Sequence, residues 1–449
     1  MRHRFGSITC VLAILVASVP LRAEMVTGYT LDNGMEIVVL EDHRAAAVVN
    51  MVWYRVGAAD EPRGKSGIAH FLEHLMFKGT DELAPGEFSE VVAANGGANN
   101  AITGRDMTAY FQRVASDRLE LVIRMEADRM RDLRLTEDVV LPELDVILEE
   151  RTQRTDSDPT ALFSEQRNAA LYLNHPYGIP TIGWRHEIEN LTSRDALDFY
   201  ERHYAPNNAI LIVAGDIDPD EVLRLAQKHF GPLEPAPDIS ERIRPQEPPQ
   251  LSERRLVMED ARVGQPYLTR NYLAFERDSG SQEKAAALEV LAELLGGSPA
   301  TSILAGKLVF DRQIALRASA FYNGTTYDDT SFGFLVIPNH GVSLAKAEAA
   351  LDRAIAEFLE EGIAPEQLAR VKRRAHAARI YANDSALSLA RRYGRALTAG
   401  LTLDDIAAWP AILQAVTEED VMAAAHEVLD RHSAVTGWLK QPEAAEAAQ

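Results

Sequence analysis

The chain has 449 residues, 46% of them hydrophobic and 25% charged, with 46 Lys+Arg against 67 Asp+Glu and a formal net charge of −21. That composition belongs to a globular chain long enough for two or three domains, and its acidic balance excludes a general nucleic-acid role, which needs a basic surface. The single cysteine, Cys10, excludes a disulfide scaffold, a Cys-ligated zinc site and an iron–sulfur cluster, so any metal must be held by His, Asp and Glu.

The N-terminus reads Met1-Arg2-His3-Arg4-Phe5, then an apolar run from Ile8 to Leu21, then Arg22-Ala23. A basic start, a short apolar core and a closing small residue predict a secretory signal peptide over 1–23, cut after Ala23. An uncleaved anchor is the alternative, although the run is short for a membrane span. Cleavage discards Cys10. Export without disulfides suits the periplasm of a Gram-negative bacterium, and no membrane span is expected after cleavage.

In the segment 24–232, β-branched and aromatic content predicts strands at Met35–Leu40, Val48–Arg55, Thr108–Val114 and Ala209–Gly215. Apolar residues three and four apart predict helices at Ser116–Asp132 and Glu137–Arg154, and another at Leu344–Glu361 in the second half. Leu233–Arg255 is rich in proline and charge and reads as an extended linker. It separates 24–232 from 256–449, and the two halves look related. Thr192–Ala209 followed by an apolar run matches Thr417–Ala434 followed by another, at an offset of 225 residues, and the helices from Thr136 and Ala364 match near 228. A constant offset of half the chain predicts a duplicated domain. The expected fold class is α+β, with two homologous domains, each an antiparallel-rich sheet covered by helices, facing each other as one half of a clamshell.

The segment carrying chemistry is Gly67-Ile68-Ala69-His70-Phe71-Leu72-Glu73-His74-Leu75-Met76-Phe77-Lys78-Gly79. Ser66 or Gly67 can start a three-turn helix and Gly79 can end it. His70 and His74 lie one turn apart on one face, where two imidazoles reach a single metal, and Glu73 lies at the edge of that face. The intervening residues are apolar, so these polar groups are buried and need partners. A zinc ion provides one. The third ligand should come from Glu137–Arg154, where Glu143 and Glu150 share a face two turns apart. Helix phase favours Glu150 as the ligand, with Glu143 as the acceptor that orients a ligand histidine. Asp145 is an alternative that lies off the face. Zinc in such a site supplies an acidified water and a polarised peptide carbonyl, and Glu73 is placed to accept the water's proton and return it to the leaving amine.

With Gly96-Gly97-Ala98-Asn99-Asn100-Ala101-Ile102-Thr103, Asp106, Thr108 and Tyr110 following at once, the chain resembles the inverted-zincin (HxxEH) peptidases of the pitrilysin type, which include the mitochondrial processing peptidase β subunit and bacterial relatives. The resemblance runs through Glu143-Leu144-Asp145-Val146-Ile147-Leu148-Glu149-Glu150 and the linker, with 75 residues between His74 and Glu150. It implies a zinc endopeptidase with one Zn2+ per chain, held by His70, His74 and Glu150 rather than Glu149, and with Glu73 as general base. It also implies that Asn100 and Ala101 hold an extended peptide by backbone pairing, a turn being the alternative for Asn100. Tyr110 joins that substrate-binding set, with sheet packing as its alternative.

The second half has no HxxEH, and Val371 and Ala378 stand where Glu143 and Glu150 recur. Many family members carry an Arg and a Tyr, seven apart, in this half. The aligned positions here are Val309 and Leu316. This departure implies a heterodimer with a homologous subunit, or a homodimer. A non-catalytic scaffold or partner subunit is the alternative function. The net negative charge reads either as a solvated surface or as a chamber wall that concentrates basic peptides.

Overall fold

The computed structural model describes residues 25–442 apart from 238, 240, 241 and 383. The predicted signal peptide lies outside the described residues. In the first half, β1 (Met25–Thr30), β2 (Glu36–Glu41) and β3 (Ala47–Tyr54) lead into the short helix α1 (Ile68–Leu75). Then follow α2 (Glu87–Ala94), β4 (Ala98–Thr103), β5 (Thr108–Ala115), α3 (Leu119–Arg131), α4 (Glu137–Arg151), α5 (Pro159–Leu171), α6 (Arg185–Ile188), α7 (Ser193–His203), β6 (Ala209–Gly215) and α8 (Pro219–His229). The second half holds β7 (Arg254–Glu259), β8 (Tyr267–Ala274), α9 (Glu283–Gly296), β9 (Ala315–Tyr322), β10 (Thr330–Pro338) and α10 (Leu344–Glu361). It ends with α11 (Pro365–Ala382), α12 (Ala386–Thr398), α13 (Leu403–Ala415), α14 (Glu418–Val428) and β11 (Val435–Lys440). The fold is α+β, as expected. No single described helix is long and apolar enough to cross a membrane.

The first sheet has the order β1-β2-β6-β3-β5-β4 and the second β7-β11-β8-β10-β9. Without β1, these are one topology drawn twice. In each, the first strand pairs in parallel with the last, β2 with β6 and β7 with β11, and the remaining pairs are antiparallel. The helix before each last strand starts with the same capping box, Thr192 with Asp195 and Thr417 with Asp420. In both, the threonine hydroxyl accepts from the third N–H, and the aspartate accepts from the cap's own N–H.

The two halves exchange a helix. On β3, Val48, Val52 and Tyr54 face the core beneath α1, α3 and α7, whereas Val49, Met51 and Trp53 face the opposite way. That second face is covered by α12 from the other half, through Leu389, Ala390, Tyr393 and Leu397. Gly394 on α12 lies flat on Trp53, and a Cβ there would stand 2.0 Å from the indole ring. In return, Phe163 of α5 packs with Leu439 on the second sheet and Val263 in the β7–β8 connection, above Gly437. Central strands covered on both faces lose polar–apolar alternation, which is why β6 is buried at every position.

Between α8 and β7 the described residues form no α-helix or strand. Two largely buried arginines hold it down. Arg242 donates to the backbone carbonyls of Arg55, Asp106 and Thr398, and Arg244 pairs with Asp60, Asp106 and Asp328.

Candidate metal centre

Helix α1 is shorter than the three turns expected. It begins where Gly67 takes a left-handed φ of 89°, a conformation glycine adopts without a Cβ penalty. The Glu61 carboxylate accepts the N–H groups of Gly67 and Ala69 at 3.0 and 2.9 Å, capping the helix from outside its own sequence. Ile68, Ala69, Phe71, Leu72 and Leu75 are buried, so the one polar edge left to the helix is the edge bearing His70, Glu73 and His74.

Helix α4 crosses that edge. It brings the Glu150 Oε2 to 3.4 Å from His74 Nε2 and 3.8 Å from His70 Nε2, and the three ligand atoms lie within 4.8 Å of one another. Donors bound tetrahedrally to one zinc at about 2.0–2.1 Å stand about 3.3 Å apart, so this trio fits a zinc ion with little movement. Glu149 turns outward to Gln153, and Asp145 is exposed and outside the cluster. Glu143, buried, sits 2.8 Å from His74 Nδ1. A carboxylate only accepts there, so Nδ1 carries the proton and Nε2 is aimed at the metal position.

The charges are tuned from several sides. Burial, then the neighbouring His74, holds the His70 imidazole down to about 3, so it is neutral and able to ligate. Burial also disfavours charge on His74, but the Glu143 hydrogen bond and the carboxylates of Glu73, Glu143 and Glu150 outweigh it and raise its pKa. Glu143 is lowered, chiefly by the His74 hydrogen bond and then by Lys78, against burial. Burial raises Glu73, opposed by a 2.5 Å hydrogen bond from Thr103 Oγ1. A carboxyl raised from its ordinary value is a better proton acceptor near neutral pH.

Sequence reasoning missed several residues here. Thr103 at the end of β4 fixes Glu73. Lys78 reaches Glu143 at 2.5 Å, and Arg154 reaches Glu150 at 2.5 Å. Lys78 and Arg154 each lie four residues past a site residue, just beyond the ends of α1 and α4, and that spacing was a usable signal. Glu61 and Thr103 depend on tertiary placement and left none.

β4 is an edge strand of its sheet, paired among the described residues with β5 alone. Asn100 Oδ1 accepts from the Ala101 N–H at 2.8 Å, so a side chain covers a backbone donor on this strand. Tyr110 does not belong with them. It is completely buried, its hydroxyl lies 3.0 Å from that of Tyr204, and its ring packs edge-on against Tyr54. Its burial favours the alternative of sheet packing: Tyr110 faces the core beneath the helices, while its neighbours Ala109 and Phe111 face the α12 side of the sheet.

In the second half Val309 packs against the core and Leu316 is 46% exposed on the edge strand β9. Val371 is buried in that core, where Glu143 has its counterpart.

Residues 36–184 match the family described as "Insulinase (Peptidase family M16)", and residues 190–375 match "Peptidase M16 inactive domain". The zinc protease PqqE of Helicobacter pylori is 35% identical over 337 residues, covering 74% of this chain and 73% of that protein. The chain belongs to peptidase family M16. An uncharacterized zinc protease of Mycobacterium leprae, ML0855, is 37% identical over 204 residues, 45% of each chain. A protease from Helicobacter pylori has a crystal structure that superposes on 93% of this chain and 100% of its own, with a TM-score of 0.83 at 30% identity. The HxxEH helix falls within the first M16 match, and the match called inactive, which runs from the end of the first half into the second, contains no such motif.

Proposed function

We propose that the chain is a zinc-dependent endopeptidase that hydrolyses peptide bonds in peptides or unfolded segments. The observation that carries this reading is the convergence of His70, His74 and Glu150 on one point with Glu73 beside it. A zinc ion held there supplies Lewis-acid polarisation of the scissile carbonyl and a water acidic enough to ionise near neutral pH. Glu73, raised by burial and steadied by Thr103, accepts the water's proton and delivers it to the departing amine. Glu143 holds His74 in the ligating tautomer, and Lys78 keeps Glu143 ionised.

The free edge of β4 takes an extended peptide as an added strand. In that pairing Asn100 swings away and a substrate carbonyl replaces its Oδ1 on the Ala101 N–H. The reading is tested by peptide hydrolysis in the presence of a chelator. Activity lost with the chelator and restored by zinc supports it; hydrolysis unaffected by complete zinc removal contradicts it.

Val309 and Leu316 carry no polar group where the family places an Arg and a Tyr, which supports assembly with a homologous subunit that supplies them. Co-purification of such a subunit with the active species supports this, and full turnover by a strict monomer contradicts it. The basic and apolar N-terminal residues support export to the periplasm, and fractionation of the native cell decides it.

A further inference from the structure

One cleft outside the metal centre brings together both halves. It has a volume of about 390 Å³ and opens where the turn after β4 meets the β9–β10 connection and the last turn of α12. Arg105 and Arg395 line it, with Asp106, Asn323, Thr325 and Ser331. Arg105 stacks on Tyr177, its guanidinium carbon 5.0 Å from the ring centroid. Arg395 is exposed. Among the described residues, neither guanidinium has a carboxylate within 4.0 Å, in a chain with 67 acidic and 46 basic residues. Asp106 does not serve them. Its oxygens accept from Tyr177 at 2.6 and 2.7 Å and from Arg244 at 2.7 Å, so its charge is met from the linker side.

The cleft starts one residue past the end of β4. Thr103, the last residue of that strand, is the residue that holds Glu73. Consecutive Cα atoms are about 3.8 Å apart, so Arg105 stands at most about 8 Å from Thr103. A peptide extended along β4 advances about 3.3 Å per residue and reaches the cleft within about three residues of the strand's end. Two planar, permanently charged groups without a carboxylate partner, Arg105 being held by the rings of Tyr172 and Tyr177, match a carboxylate in charge and shape.

We propose that this cleft is a carboxylate-binding subsite, in which Arg105 and Arg395 take an acidic side chain or a terminal carboxylate of a peptide lying on β4. The inference rests on the peptidase reading for the peptide's presence, and its test separates the two. Zinc-loaded Glu73→Gln protein is titrated with fluorescent peptides in which one Asp is moved along the chain, each paired with its Asn version. A second set pairs a free C-terminus with its amide.

Charge-assisted hydrogen bonds in a half-open site correspond to a five- to tenfold preference for the acid. At one register the acid binds five- to tenfold more tightly, and that ratio falls to near one in Glu73→Gln protein that also carries Arg105→Gln and Arg395→Gln. Preference for Asp over Asn assigns the cleft to a side chain, and preference for the free terminus assigns it to a chain end. Because the peptides are altered as well as the protein, misfolding of an Arg105 variant does not decide the outcome. Absence of any acid preference, or its survival in the arginine variants, overturns the subsite. Peptides that bind with the acid preference but are never cleaved by the unmutated protein overturn the peptidase reading and leave the subsite standing.

Discussion

Replacing Glu143 by Gln removes one charge two bonds' reach from the metal position and leaves the side chain's size unchanged. Glu143 is 7% exposed and accepts from His74 Nδ1 at 2.8 Å and Lys78 Nζ at 2.5 Å. The glutamine carbonyl can still accept from His74, so the tautomer survives, but the bond is no longer charge-assisted. Its amide nitrogen, itself a donor, then faces the Lys78 ammonium and cannot accept a hydrogen bond from it. Hydrogen bonds to charged groups contribute about 1.5–3 kcal/mol and neutral ones about 0.5–1.5 kcal/mol. The difference, about 1–1.5 kcal/mol, weakens zinc binding about tenfold. Glu143→Ala, which also frees the imidazole to rotate, weakens it toward the upper end of the 10- to 100-fold expected for loss of an outer hydrogen-bond partner. The assay is zinc affinity by chelator competition, with thermal melting of the metal-free protein to verify folding. Folded Glu143→Gln protein that binds zinc within twofold of the unmutated chain refutes the role given to Glu143.

Two further predictions concern the scaffold. Gly394→Ala places a methyl group 2.0 Å from the Trp53 indole, and although alanine favours a helix by up to about 1 kcal/mol, overpacking of about 1–3 kcal/mol outweighs it; a raised melting temperature would contradict the packing of α12 on the first sheet. Burial holds the His203 imidazole down to about 4. Its neutral form is the native one, so stability is fully present above the ordinary value near 6.5 and falls, as the unfolded chain takes up a proton, by up to about 1.4 kcal/mol per pH unit down to about 4. Urea melts of His203→Asn show a shallower slope across that window, and an identical slope removes His203 as a cause.

Much of the site was legible because helix periodicity is local. Four-residue spacing put His70 and His74 on one edge, and seven-residue spacing selected Glu150 over Glu149, with Asp145 off the face; these are properties of a single helix and need no tertiary information. The strands β2, β3, β5 and β6 were legible from β-branched content, and the capping boxes at Thr192 and Thr417 made the duplication visible. The exchange of α5 and α12 was not legible. A helix whose buried stripe fits a foreign sheet has the same periodicity as one that packs on its own, so Phe163 and Leu389 carry no mark of where they go. Which way Tyr110 faces was not legible for a related reason: close to an edge strand in sequence, it points to the covered face in space, where its hydroxyl meets Tyr204. Glu61 and Thr103 act across 8 and 30 residues respectively, and nothing local distinguishes them from any other surface Glu or strand-end Thr.

The central claim is that Glu73 moves the proton in a zinc-dependent peptide hydrolysis. It is tested most directly by the turnover number and the zinc content of the purified assembly beside its Glu73→Gln variant. The variant is expected to keep one zinc per chain and to lose at least about 100-fold in kcat, the range of general-base catalysis. A variant that retains its zinc and cleaves at the unmutated rate contradicts it.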